Sequence, residues 1–176
     1  MRKVTHKKLT SDYPLLVALR NSRDMGNEGY KIDTLIRRNN IESIVEGYEK
    51  KRHDTIVELG EDVMVPEMDD KGSPVLDDQG KPKQKPSGGK QIADPEKLKE
   101  FNRIMDECGA EVIELPVPCA TLEKIEKAKV TLSMDGRMVI NNECLSGQEI
   151  GRLEWLFLTE EKADENKSAE DKKPGV

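Results

Sequence analysis

YKIDTLIRRNNIESIVEGYEKKRHDTIVELG, residues 30–60, sets the expected fold class. Ile32, Leu35 and Ile36 are followed by Ile41, Ile44, Val45, Tyr48, Ile56 and Leu59. Steps of three, four and seven place these side chains on one stripe of a helix. Arg37, Arg38, Glu42, Glu46 and the run from Glu49 to Asp54 fill the other faces. Glu46 and Lys50 form an i,i+4 pair in the favourable order. Asn39-Asn40 and Gly47 weaken the helix locally and admit a kink or break near residue 40, and Gly60 is a good residue just past its end. At ~1.5 Å per residue, a helix over 30–59 is about 45 Å long. A compact core does not cover that length, so the helix is expected to pair with another helix or with a second chain.

Working outward, residues 1–29 hold a short helix, SDYPLLVALR over 11–20, and a turn, RDMGNEG. Ser11 or Asp12 caps that helix, with Pro14 in its first turn. Residues 61–93 read as a flexible Asp/Gly/Pro linker. Inside it, Asp69-Asp70-x-Gly72-x-Pro74 recurs as Asp77-Asp78-x-Gly80-x-Pro82, two successive turns around the short extended Val75-Leu76. Residues 94–159 complete the same domain. Asp94-Pro95-Glu96 starts a second helix whose stripe Leu98, Phe101, Met105 and Cys108 folds back on the long one. AEVIELPV is a short extended piece, TLEKIEKA one or two helical turns, and KVTLSMDGRMVIN a β-hairpin around Asp135-Gly136. Ser146 and Glu149 form a capping box ahead of Leu153, Trp155, Leu156 and Phe157. Residues 160–176 read as a disordered acidic tail. The expected fold is mainly α with a minor β part: a helical hairpin built on the long charged helix, a small β-hairpin and a short C-terminal helix.

Composition narrows the function. Of 176 residues, 36% are charged and 35% hydrophobic, and the formal net charge is −6. That field does not steer the chain to nucleic acid or to anionic lipid. Cys108, Cys119 and Cys144 are widely spaced, without C-x-x-C, and no secretory leader or apolar run of membrane-spanning length is read. Reduced thiols in a cytoplasm follow as the expectation.

The chemical motifs fail on their spacing. A calcium loop needs Gly at its sixth position and Glu at its twelfth. Counting from Asp69 gives Pro74 and Gly80, and counting from Asp77 gives Pro82 and Gly88. His6, His53 and the scattered cysteines do not reach zinc-ligand pairings. No G-x-S-x-G, Walker or dinucleotide fingerprint is present, and Gly88-Gly89-Lys90 lacks the strand–helix setting of a phosphate loop. Arg37-Arg38 and Lys50-Lys51-Arg52 are interleaved with carboxylates and have no stacking aromatics. The chain is therefore read as non-enzymatic, with no catalytic, cofactor-binding or metal residues and no cofactor.

The order EGYEKKRHDTIVELGE, DDKGSPVLDDQGKP, DPEKLKEFNRIMDECGAEVIELPV and LSGQEIGRLEWLF resembles a family of small uncharacterised proteins of tailed bacteriophages and prophages. The resemblance covers about residues 30–160. The insert PKQKPSGGKQ, the basic opening and the tail depart from it. It carries no catalytic residues. It implies a phage product in the host cytoplasm or on the virion, acting through a protein partner (a phage structural protein or a host protein) or through self-association. A virion- or tail-associated assembly accessory is the first expectation. A small acidic inhibitor of a host enzyme or anti-phage defence complex is the alternative. The candidate interface is Ile41, Ile44, Val45, Tyr48, Ile56, Trp155 and Phe157.

Overall fold

A computed structural model describes residues 1–134 and 137–157. The expected tip of the β-hairpin at Asp135-Gly136 and the expected acidic tail lie outside the described residues. In chain order the elements are β1 (Arg2–Thr5), α1 (His6–Asn21), α2 (Asn27–Arg38), α3 (Ile41–Leu59), β2 (Glu61–Pro66), β3 (Gln84–Gln91) and α4 (Pro95–Gly109). There follow β4 (Val112–Leu115), α5 (Leu122–Lys127), β5 (Lys129–Met134), β6 (Arg137–Cys144), α6 (Gly147–Arg152) and α7 (Glu154–Phe157). This is a mixed α/β chain, about 52% helix and 26% strand, with seven helices and three two-stranded sheets among the described residues. The mainly helical expectation is thereby corrected. The supposed linker holds the paired strands β2 and β3, and the basic opening pairs with residues 112–115 as β1 and β4; the long helix, in addition, is two helices.

The break in that helix has a local cause. The Asn39 side chain donates from Nδ2 to the Leu35 carbonyl at 2.8 Å, and the Asn39 amide donates to the same carbonyl at 3.3 Å, so both groups of Asn39 close the end of α2. Asn40 then takes φ 50°, the left-handed region that asparagine tolerates better than most residues. Its carbonyl accepts from the Ile44 amide at 3.1 Å, so the next helix starts immediately. The stripe consequently turns. Ile32, Leu35, Ile36 and Ile41 are buried, whereas Ile44 and Val45 lie half-buried at the edge of the same core.

The chain divides into two compact units: Met1–Tyr48 together with the chain from Cys108 onward, and Glu49–Glu107. The first unit holds the large hydrophobic core. Leu9, Leu16 and Leu19 of α1 are buried with Ile32 and Ile36 of α2, Val130 of β5, Leu153 between α6 and α7, and Leu156 of α7. The helix expected over 11–20 starts earlier, at His6. Thr5 caps it, accepting from the Lys8 amide at 3.2 Å. Pro14 therefore lies inside the helix rather than in its first turn. An interior proline costs about 3 kcal/mol, and burial of the leucines on either side offsets it. The basic opening also has a role in the fold: β1 pairs antiparallel with β4, Val4 opposite Ile113. β5 and β6 form a second antiparallel pair in this unit, with Leu132 opposite Ile140.

In the second unit, residues 61–93 are ordered by their own backbone. β2 and β3 pair antiparallel, with Pro66 opposite Gln84. Between them, Met68 bridges Pro74 and Leu76 bridges Pro82. These three pairs repeat at intervals of eight residues, so the segment is three octads, PEMDDKGS, PVLDDQGK and PKQKPSGG. Their hydrogen bonds close a ring. The Val75 amide donates to Glu67 O at 2.8 Å, Lys83 to Val75 O at 2.7 Å, and Glu67 to Lys83 O at 2.8 Å. Gly72, Gly80 and Gly88 turn the three corners at φ 78°, 77° and 82°. Asp69 Oδ1 accepts from the amides of Lys71 and Ser73 at 2.9 and 2.8 Å, and Asp77 Oδ1 accepts from Gln79 and Lys81 at 2.8 and 2.9 Å. These aspartates serve the turns.

Replacing both Gly72 and Gly80 by valine is expected to cost about 1–2 kcal/mol per site, because the left-handed region is poorly open to β-branched residues. Hydrogen exchange should quicken at the amides of Val75 and Lys83. The amides of Leu16 and Leu19, in the other unit, should keep their protection. Unchanged exchange at Val75 and Lys83 would show that the ring does not depend on its corners.

Candidate protein-binding surfaces

The sequence-derived interface residues differ in burial. Ile41 and Trp155 are buried, and Ile44, Val45 and Phe157 pack half-buried against the same core. Tyr48 is half-buried in the first unit, and Ile56 is half-buried in the second. The apolar spacing was real, but the structure uses most of it for core.

Asp12, the one buried carboxylate among the described residues of the first unit, is also structural. Its Oδ2 accepts from Trp155 Nε1 at 2.9 Å and pairs with Lys8 Nζ at 2.8 Å, while its Oδ1 faces Arg152 Nε at 3.3 Å. Arg152 also donates to the Ser11 carbonyl and, at 2.9 Å, to its hydroxyl. Lys8 Nζ reaches the Arg152 carbonyl at 2.6 Å. The network ties α1 to α6 and α7 and occupies both carboxylate oxygens. Residues read as a cap (Asp12) and as a terminal apolar stripe (Trp155) are thus partners 143 positions apart.

Among the described residues two exposed features bear on binding. In the second unit the octad ring is open to solvent along most of its length, and Met68 and Leu76 occupy equivalent positions on it, 52% and 55% exposed. Every residue of β3 is exposed. Sequence reading found two octads and missed the third, in which Lys85-Pro86 replaces Asp-Asp. The signal that finds it is the spacing of Pro66, Pro74 and Pro82 with Gly72, Gly80 and Gly88.

In the first unit a cavity of about 290 Å³ opens between α2 and the Pro116–Cys119 segment. Leu35, Pro116, Pro118 and Cys119 make it apolar, and Tyr30, Lys31 and Arg38 line it from the exposed side of α2. Tyr30 is 74% exposed. The peptide bond between Val117 and Pro118 is cis. The Cys119 amide donates to the Leu156 carbonyl at 3.1 Å, and its thiol lies 3.6 Å from the Pro116 carbonyl. Burial pushes that thiol above its ordinary range, and the nearby Lys31 ammonium opposes the shift.

The cysteines should therefore alkylate in the order Cys144, Cys108, Cys119, following their exposed, half-buried and buried placement. Peptide mapping after brief iodoacetamide treatment at pH 8 checks the order, and early modification of Cys119 would contradict it. The linkage has a definite sign. Below the ordinary thiol value of 9.0 the group is neutral folded and unfolded. Above it the unfolded chain ionises first, so stability falls as pH rises.

Among the described residues no helix is long and apolar enough to cross a membrane, and no cluster of three or more His, Cys, Asp or Glu side chains is placed to hold a metal ion. Comparison with protein-family models, with curated proteins and with solved structures finds no match.

Proposed function

We propose that this chain is a non-enzymatic bacteriophage protein that acts through protein–protein contacts, as a virion- or tail-associated assembly accessory. The octad ring carries the reading. It is held by its own hydrogen bonds, it contributes little to a core, and it presents Met68 and Leu76 to solvent at equivalent positions. A preorganised exposed element loses little conformational entropy on docking. The phage setting is supported by the order of the charged helix, the doubled Asp/Gly/Pro motif, the Phe-Asn helix and the small-residue cap.

The test is to follow the tagged chain through gradient-purified particles and assembly intermediates of the phage that encodes it. Co-sedimentation is expected, with loss in the Met68→Ser/Leu76→Ser variant. Absence from every particle fraction, with unchanged phage yield, would reject the reading. The net charge of −6 favours the second reading, an acidic inhibitor of a host enzyme or defence complex. That reading predicts a complex with a basic host protein that weakens as salt rises.

A further inference from the structure

We infer that the groove along α2 receives a short acidic segment of a partner protein, with one apolar side chain of that segment seated against Pro116 and Pro118. The inference rests on the proposed function in protein–protein contacts and names the chemistry of one contact.

The charge around the groove is opposite to that of the chain. Three adjoining depressions, of about 290, 400 and 420 Å³, share Tyr30 and run over the exposed side of α2. Their charged lining is Arg20, Lys31, Arg37 and Arg38 against a single acid, Asp33. Asp33 is already engaged, by Arg37 at 2.8 Å and Arg20 at 3.6 Å. Among the described residues neither Lys31 nor Arg38 has an ion-pair partner, and both are exposed. On a chain of net charge −6, this local excess of cations selects carboxylates and repels a basic segment. The guanidinium of Arg38 can hold a carboxylate in two-pronged fashion.

Shape supplies the rest. From Tyr30 to Arg38 the helix rises about 12 Å, at ~1.5 Å per residue. An extended segment of about four residues covers that distance at ~3.3 Å each. The apolar part of this depression, Leu35, Pro116, Pro118 and Cys119, offers an aliphatic or aromatic side chain its contact surface, with Thr34 and Asn39 beside it. An exposed tyrosine beside arginines is the composition that dominates binding energy at protein interfaces.

The test uses the full chain, labelled with 15N, and four probes. The first is a hexapeptide with a Leu-Phe centre flanked on both sides by Glu-Asp. The second replaces the acids by lysines, the third replaces the centre by Gly-Gly, and the fourth is phenylacetate. Only the first should shift the amides of Tyr30–Asn39 and Cys119 in a saturable way. Its affinity should fall about tenfold or more in Lys31→Glu/Arg38→Glu, with the thermal midpoint unchanged because both residues are exposed. Equal binding of the lysine or glycine peptide would overturn the proposal. So would phenylacetate binding as tightly as the peptide, which would make the cavity a small-molecule site. Shifts elsewhere, or none at all, would also overturn it. The two readings fail separately. Peptide binding without particle association leaves the groove and removes the assembly role. Ring-dependent particle association without peptide binding removes the groove alone.

Discussion

Replacing Asp12 by alanine should lower the unfolding free energy by about 3 kcal/mol, the lower end of the range for breaking a buried ion pair from one side. The lower end applies because the cations left behind, Lys8 and Arg152, have side chains 41% exposed and can turn to water. Removing the cations instead is expected to do more damage. In the double variant Lys8→Ala/Arg152→Ala the fully buried carboxylate keeps the Trp155 indole but loses both countercharges. Both routes break the ion pairs of Asp12 with Lys8 and Arg152 yet strand different charges, and the desolvation of the stranded group decides the difference. Trp155→Phe, which removes the indole donor and also shrinks a buried ring, should cost at least about 1–3 kcal/mol. Urea unfolding with an unchanged slope measures all three. A double variant milder than Asp12→Ala would show that the carboxylate reaches water and that the network matters little.

Replacing Ile41 by alanine should cost about 2–5 kcal/mol, the range for a large-to-small change in a packed core. Ile41 is fully buried at the first turn of α3, directly after the left-handed Asn40. The same substitution at Tyr30, the exposed large hydrophobic of α2, should stay within about 0.5 kcal/mol. The pair separates core from surface on adjacent helices. If Ile41→Ala left the unfolding midpoint in place and altered only association, the stripe would be an interface after all, and the placement of α3 against the core would be wrong.

Much of the local structure was legible in the sequence because its causes are local. Asp94 accepts from the Glu96 amide at 2.8 Å, and Ser146 and Glu149 form the reciprocal capping box read from their spacing. The doubled Asp-x-x-Gly turns are present with the carboxylate and glycine geometry their composition calls for. The interruption at Asn39-Asn40 was visible as a weakness, but whether a weak point bends or ends a helix depends on the cap that forms there.

The candidate sites were less legible. Periodicity reports that a side chain is apolar at a helical step, and it does not report what lies opposite. Ile41 and Trp155 satisfied the same pattern expected of an interface and were taken up by core. The cationic groove joins α2 to a segment some eighty residues later, and no local pattern links Lys31 and Arg38 to Pro116 and Pro118.

By itself, then, the sequence determined where helices can begin, where the chain turns, and that an Asp-Asp-x-Gly-x-Pro motif recurs after eight residues between Asp69 and Pro82. These follow from backbone sterics and from hydrogen bonds within a few residues. Only the tertiary structure decided that the third octad closes a ring, that residues 2–5 find a strand partner at 112–115, and that Asp12 is sealed beneath Trp155. Each of these pairs groups distant in the chain, and their free energy comes from burial and partner geometry that exist only once the chain has folded.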